Sequence, residues 1–210
     1  MAKKKEKRTK AVKKIPVKKT VKVDKWKIKQ EYIVKAPKLF EEKEMSVIYA
    51  NDEKNLYNRV IRFPYSTLTN KFDQYALYTT LKLRIVEVKG KTALTRYIGS
   101  FITPGFLKTL ARRKRSVINE FKDITTKDND QIRVKTTIIT ARRVSTSAKR
   151  EIRNIIGTFL SNRAKESNTN EFVGYILANK IERDVRKDLQ KIAPIKKVLV
   201  HKTEVKKTVV

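Results

Sequence analysis

LYTTLKLRIVEVKGKTALTRYIGSF, residues 77–101, alternates with a period of two: Leu77, Thr79, Leu81, Leu83 and Ile85 occupy one phase, Tyr78, Thr80, Lys82 and Arg84 the other. Successive side chains of a strand point to opposite faces, so this pattern predicts a strand with one face buried. Lys89-Gly90-Lys91 turns the chain and Ala93 to Phe101 returns. Both arms are rich in β-branched and aromatic residues, as hairpin strands are. At Ile85-Val86 the apolar phase slips by one residue, as it does where a bulge re-aims a strand or where both faces become covered; either suits a strongly curved sheet.

The same signals extend in both directions. Upstream, Trp26, Ile28, Tyr32 and Val34 interleave with Lys27, Lys29, Glu31 and Lys35 until Ala36-Pro37 closes a predicted strand, and another is expected from Tyr57 to Phe63, stopped by Pro64. Downstream, a second hairpin runs from Val117 to Thr126, turns through Lys127-Asp128-Asn129-Asp130 and returns through Ile132, Val134, Thr136 and Ile138. A further strand covers Lys197 to Val205. Helices are punctuated differently. Thr103-Pro104 supplies a cap and a first-turn proline ahead of the apolar stripe Phe106, Leu107, Leu110 and Ala111. From Ser147, the residues Ala148, Ile152, Ile155, Ile156, Phe159 and Leu160 recur at helical spacing. Asn170 is the expected cap of a short helix with Phe172, Val173, Ile176 and Leu177, and Ile181, Val185, Leu189 and Ile192 mark a last helix ended by Pro194. No repeat of fixed period is present.

These elements predict an α+β fold: a curved, mostly antiparallel β-sheet or β-barrel-like domain flanked by amphipathic basic helices. The division expected is a basic, disordered N-terminal tail over 1–22, a β-rich core over 23–145 carrying one basic helix at about 103–115, a helical segment over 146–195, and a C-terminal strand with a basic tail over 196–210. The tail holds eleven basic side chains against the single acid Glu6. So few apolar groups cannot offset an ordering cost of roughly 1–2 kcal/mol per residue.

Charge narrows the function. Among 210 residues, Lys and Arg number 52 against 21 Asp and Glu, a formal net charge of +31, while 40% of residues are apolar and can form a core. Ordinary soluble surfaces mix the two signs and carry a net charge of roughly 2 to 8. An excess this large calls for a polyanionic partner, and RNA is the abundant one in a cell. With no cysteine and one histidine, His201, neither a disulfide framework nor a thiolate metal site is expected. No apolar run reaches the roughly 18 residues needed to cross a bilayer, and no signal-peptide pattern follows the basic start, so an intracellular chain with no membrane partner is expected.

Within the folded segments arginine dominates, whereas the tail uses lysine. A guanidinium can grip two phosphate oxygens or stack on a base; an ammonium acts as a point charge. Fixed RNA contacts are therefore expected at Lys108, Arg112, Arg113, Lys114 and Arg115, and at Arg133, Lys135, Arg142, Arg143, Lys149, Arg150 and Arg153. Ser145, Thr146 and Ser147 add hydroxyls and helix N-terminal amides beside them. Adaptable contacts are expected from the tail at Lys3, Lys4, Lys5, Arg8, Lys13, Lys14, Lys18 and Lys19. Trp26, Tyr32, Tyr57, Phe63, Tyr65, Phe72, Tyr75, Tyr78 and Tyr97 read mainly as core, with Tyr78 and Tyr97 the candidates for base stacking.

The inventory for catalysis is poor, and no catalytic residue, cofactor or metal is expected. Asp128-Asn129-Asp130 lacks the glycine and glutamate spacing of a calcium loop and suits a hairpin turn. The five glycines form no phosphate-binding loop. A metal-dependent nuclease using Asp123, Asp128 and Asp130, and a general nucleic-acid architectural or anionic-membrane binder, are the alternatives that charge and acid placement leave open.

Three segments together resemble the S3Ae-type family of small-subunit ribosomal proteins of archaea and eukaryotes: VDKWKIKQEYIVKAPKLF (Val23 to Phe40), TRYIGSFITPGFLKTLARRKRS (Thr95 to Ser116) and DITTKDNDQIRVKTTIITARRVSTSAKREIR (Asp123 to Arg153). Where that family shows an Arg-Val pair, a Glu and then a Leu-x-Asp-Leu pattern, this chain keeps Arg59-Val60 and Leu68 but carries Arg62, Tyr65 and Thr67 at the other places. The resemblance implies a structural, non-catalytic constituent of the cytoplasmic ribosome. It also implies a place on the small-subunit platform near the mRNA exit and the 3′ end of the small-subunit rRNA, with ribosomal-protein neighbours and messenger RNA close by.

Overall fold

The computed structural model describes residues 24, 26–70 and 72–207; the tail expected over 1–22 lies outside them. In chain order the elements are β1 (Gln30–Lys35), β2 (Glu44–Ala50), β3 (Val60–Pro64), α1 (Tyr65–Thr69), α2 (Gln74–Tyr78), β4 (Thr79–Lys89), β5 (Thr92–Ile102) and α3 (Pro104–Leu110). They continue with β6 (Val117–Thr125), β7 (Gln131–Thr140), α4 (Thr146–Glu166), α5 (Thr169–Leu177), α6 (Lys180–Gln190) and β8 (Ile195–Lys207). The fold is α+β, built on one open, mostly antiparallel sheet.

Strand β5 is the hub. One of its edges pairs with β4 from Thr92 to Ile102. The other is divided: Thr92 to Leu94 runs parallel to β1, and Gly99 to Phe101 runs antiparallel to β8. The path across the sheet is β2-β1-β5-β8-β7-β6, with β3 completing the β4 side. The phase slip at Ile85-Val86 is a bulge, since Ile85 pairs with Thr95 but Glu87 with Leu94. Val86 is left exposed and Val88 returns to the interior. At Gly99 the strands close in so far that a Cβ would lie 2.2 Å from the Thr203 carbonyl oxygen, a position only glycine can fill.

The sheet has two unlike faces. Ile118, Ile124, Ile132, Val134, Ile138, Val198 and Val200 pack under α4, α5 and α6, meeting Ile152, Ile156, Leu160, Phe172, Ile181, Val185 and Leu189. Each such side chain contributes about 1.5–3 kcal/mol by leaving water. Leu199 points the other way and is covered by Tyr75, Ile102 and Phe106 from the region of α2 and α3. Among the described residues, no other helix covers this outer face.

Several expectations are corrected. β1 begins at Gln30 because Trp26 to Lys29 form a turn, in which the Trp26 amide donates to Asp24 Oδ1 at 3.0 Å and the Lys29 ammonium sits 3.4 Å from the indole centre. β2 was not anticipated; its burial does not alternate cleanly. Leu77 and Tyr78 belong to α2, not to the strand. α3 ends at Leu110 rather than near 115, since Ala111 is exposed and the stripe has nothing further to bury. α5 is capped by Asn168 in a reciprocal box with Glu171, two residues before Asn170. Of the aromatics expected inside, Tyr32, Tyr65, Tyr75 and Tyr97 are buried, while Trp26, Tyr57, Phe72 and Tyr78 are exposed. Tyr65, one of the family departures, meets Phe40 edge-on at 6.2 Å.

Candidate nucleic-acid interface

Two hydroxyls organise the basic surface. Ser116, just before β6, and Thr140, ending β7, exchange backbone and side-chain bonds: the Thr140 amide donates to the Ser116 carbonyl, and the Ser116 amide to Thr140 Oγ1, each at 3.0 Å. Thr140 Oγ1 lies 2.6 Å from the Arg142 carbonyl, and Ser116 Oγ accepts from the Val144 amide at 3.2 Å. This buried knot holds the turn carrying Arg112, Arg113, Lys114 and Arg115 beside the turn carrying Arg142 and Arg143. The second runs into the first turn of α4, where Ser145 Oγ accepts from the Ala148 amide at 3.4 Å. The partial positive charge of that helix end therefore adds to the side-chain charge.

No acidic side chain occurs in 111–119 or 141–150. Among the described residues, none of Arg112, Arg113, Lys114, Arg115, Arg142, Arg143, Lys149 and Arg150 forms an ion pair within the fold. These eight, with exposed Lys108 on α3, form a rim of cations that no acid among the described residues pairs. Sequence reasoning missed Lys196, which is exposed beside the same rim because the Ala141 amide donates to the Pro194 carbonyl at 2.8 Å. Only the β7–β8 pairing reveals it.

Other expected contacts have structural work. Arg133 clamps Asp123 with Nε–Oδ1 at 2.6 Å and Nη2–Oδ2 at 2.7 Å, and Lys206 Nζ adds a bond to Oδ2 at 2.9 Å. These donors hold the Asp123 carboxyl well below the usual carboxylate range. Arg153 donates through Nε to the Asn119 carbonyl at 3.3 Å and lies near Glu120. Lys135 lies across from Lys202 on the outer face of the sheet. His201 Nδ1 is 2.8 Å from Thr137 Oγ1, and burial, then Lys135 and Lys202, push its pKa below the ordinary histidine value. Tyr97, expected as a stacking residue, is instead buried, its hydroxyl bonded to Ser100 and Thr203 and pushed up to about 12 by burial. Tyr78 is exposed but already stacked on Phe106 at 4.3 Å. Lys3, Lys4, Lys5, Arg8, Lys13, Lys14, Lys18 and Lys19 lie outside the described residues.

The acids do not converge. Asp128 Oδ2 accepts from the Thr169 amide at 2.8 Å and Asp130 Oδ2 from the Thr169 hydroxyl at 3.0 Å, so both anchor the start of α5, while Asp123 is clamped farther along the hairpin. Among the described residues no group of three or more His, Cys, Asp or Glu side chains is placed to hold a metal ion. No helix among them is long and apolar enough to cross a membrane.

Comparison with known proteins bears on this surface. The chain is 38% identical over 189 residues to a protein of Sulfurisphaera tokodaii named small ribosomal subunit protein eS1, covering 90% of this chain and 97% of that one. Proteins of the same name from Thermoplasma volcanium and Sulfolobus acidocaldarius are 33% and 32% identical over 184 residues, covering 86% and 88% of this chain and 83% and 93% of theirs. The ribosomal S3Ae family matches residues 17–209, a span that contains the basic rim and its supporting sheet, and the chain belongs to that family.

Proposed function

We propose that the chain is a structural constituent of the small ribosomal subunit that binds rRNA through the rim around Ser116 and Thr140. Its place is on the platform near the mRNA exit and the 3′ end of the small-subunit rRNA, beside other ribosomal proteins. The observation that carries the reading is the knot itself, which fixes two arginine turns and a helix N-terminus side by side with no acid among them. The mechanism is charge neutralisation: each phosphate met by a guanidinium releases condensed counterions, and the rigid turn geometry selects folded RNA over a loose polyanion. The lysines of the tail would add contacts that adapt to the RNA. The platform address rests on the family, whose matched relatives are named as small-subunit proteins.

Replacing Arg112, Arg113 and Arg115 together with alanine should reduce the salt slope of binding to small-subunit rRNA fragments by about 2 to 3, close to one unit per lost phosphate contact. An unchanged slope would move the contact elsewhere. Sedimentation tests the assembly: the protein should travel with small subunits after a high-salt wash. A hydroxyl-radical probe tethered at Arg113 should cut near the 3′ end of the small-subunit rRNA, and cuts confined to other regions would remove the platform address.

A further inference from the structure

The outer face of the sheet carries a second basic surface, unlike the rim in chemistry. Cross-strand register places Phe101, Lys202, Lys135 and Phe121 in one row across β5, β8, β7 and β6. The adjoining row is Arg62, Lys82, Gly99, Glu204, Arg133 and Asp123. Phe121 is 70% exposed although its strand neighbours Glu120 and Lys122 are partly buried toward α4. Phe101 is half-buried, with the Lys82 ammonium 5.3 Å from its ring centre. Beside it lies a shallow depression of about 300 Å³ lined by Arg62, Lys82, Phe101, His201 and Lys202 with apolar residues of α3.

We propose that this face is a platform for unpaired RNA, on which bases stack on Phe101 and Phe121 and phosphates meet Lys82, Lys135 and Arg62. The proposal accepts that the chain binds RNA but uses none of the rim. At a strand spacing of about 4.8 Å the two rings stand roughly 14 Å apart, with Lys202 and Lys135 between them. Each ring therefore takes its own base. This is the combination by which sheet surfaces bind single strands: aromatic faces for sequence-tolerant stacking and cations tracking the backbone. The acids on the face do not cancel it. Asp123 is matched by Arg133 and Lys206, and Glu204 by Lys202 at 2.5 Å, which leaves Arg62, Lys82 and Lys135 in excess. Burial, then the Lys135 and Lys202 ammonium groups, push the His201 pKa down, so its ring is not counted among the cations of this face. A protein partner would be better served by a continuous apolar patch, whereas here the rings are isolated by lysines.

The test uses the full chain and fluorescence anisotropy with a labelled, unstructured CA-repeat RNA and, in parallel, a small-subunit rRNA hairpin. Phe121→Ala should weaken the CA-repeat about five- to 150-fold, the loss expected for one stacked base, while Phe121→Trp retains binding. Lys135→Ala should flatten the salt slope on the same RNA by about 0.7. Neither should alter hairpin binding, which depends on Arg112, Arg113 and Arg115. If Phe121→Ala leaves the CA-repeat affinity within about twofold, the platform is refuted and the rim reading stands. If the variant instead depletes a neighbouring protein from assembled particles at unchanged CA-repeat affinity, the face docks protein and the proposal is equally refuted. Unchanged hairpin binding and salt slope in the arginine variant, with the CA-repeat losses as expected, would overturn only the rim.

Discussion

The hairpin of β6 and β7 ends in two polar knots of opposite character. At its tip, the Thr126 hydroxyl meets Thr169 Oγ1 at 2.9 Å, and Asp128 and Asp130 bond the amide and hydroxyl of Thr169, locking α5 onto the turn. At its base, Ser116 and Thr140 make a knot of hydroxyls and backbone groups with no carboxylate, and the arginines that radiate from it lack an internal ion pair among the described residues. In a chain of net charge +31 the scarce acids are spent where the fold needs them. The cations at the base are left for a polyanion. The contrast teaches where to look in a very basic protein: at clusters from which acids are absent, not at the densest charge.

Four experiments would break or sharpen that contrast, in order of expected effect. Reversing the base, with Arg112, Arg113, Arg142 and Arg143 all changed to Glu, should cost at least about a hundredfold in RNA affinity near physiological salt and abolish incorporation into particles, both read by sedimentation and filter binding. The melting temperature should move little, because those side chains support nothing within the fold. Next, Thr140→Val removes the acceptor of the Ser116 amide and the partner of the Arg142 carbonyl, both in buried surroundings. It should cost about 1–3 kcal/mol in urea unfolding and weaken RNA binding as well, since the turns lose their anchor. At the tip, Thr169→Val should cost about 1–2 kcal/mol yet leave the RNA salt slope untouched; a changed slope would show that the two ends are not independent.

The smallest effect belongs to Asp123→Asn. Arg133 and Lys206 lower the folded-state pKa of this exposed carboxylate, so its stabilisation is complete above its unfolded value near 4 and is lost as the pH falls through the folded one. The variant should unfold at slightly lower urea than the parent at neutral pH, and the gap should close as the pH drops below about 4. A gap that widens in acid would contradict the clamp.

Period-two segments were legible because a single buried face imposes them: Leu81, Leu83 and Ile85 sit inside, and even the slip at Val86 foretold the bulge. The stripe of α4 was legible for the corresponding helical reason. β2 escaped because Val47 and Tyr49 are exposed, and α2 because a helix of five residues, Gln74–Tyr78, is too short to display a period. The arginine-rich segments were found from composition, but the partition between free and engaged cations was not. Arg133 and Arg142 look alike in the sequence; only strand register gives the first an aspartate and the second none. Phe121 carried a faint signal, an apolar residue in the polar phase of Asn119, Phe121 and Asp123, which gains meaning once Lys135 is seen opposite it.

The divided edge of β5 has a consequence for biogenesis. β8 is the last strand of the described chain, yet it lies between β5 and β7 and supplies the Pro194 carbonyl that steadies the Arg142 turn from just ahead of its first residue. During synthesis the two halves of the sheet emerge as separate flaps that this late segment must stitch together, a high-contact-order step that folds slowly. The geometry of the rim is thus complete only once β8 is in place, so a product truncated ahead of Pro194 would lack the bond that steadies the Arg142 turn.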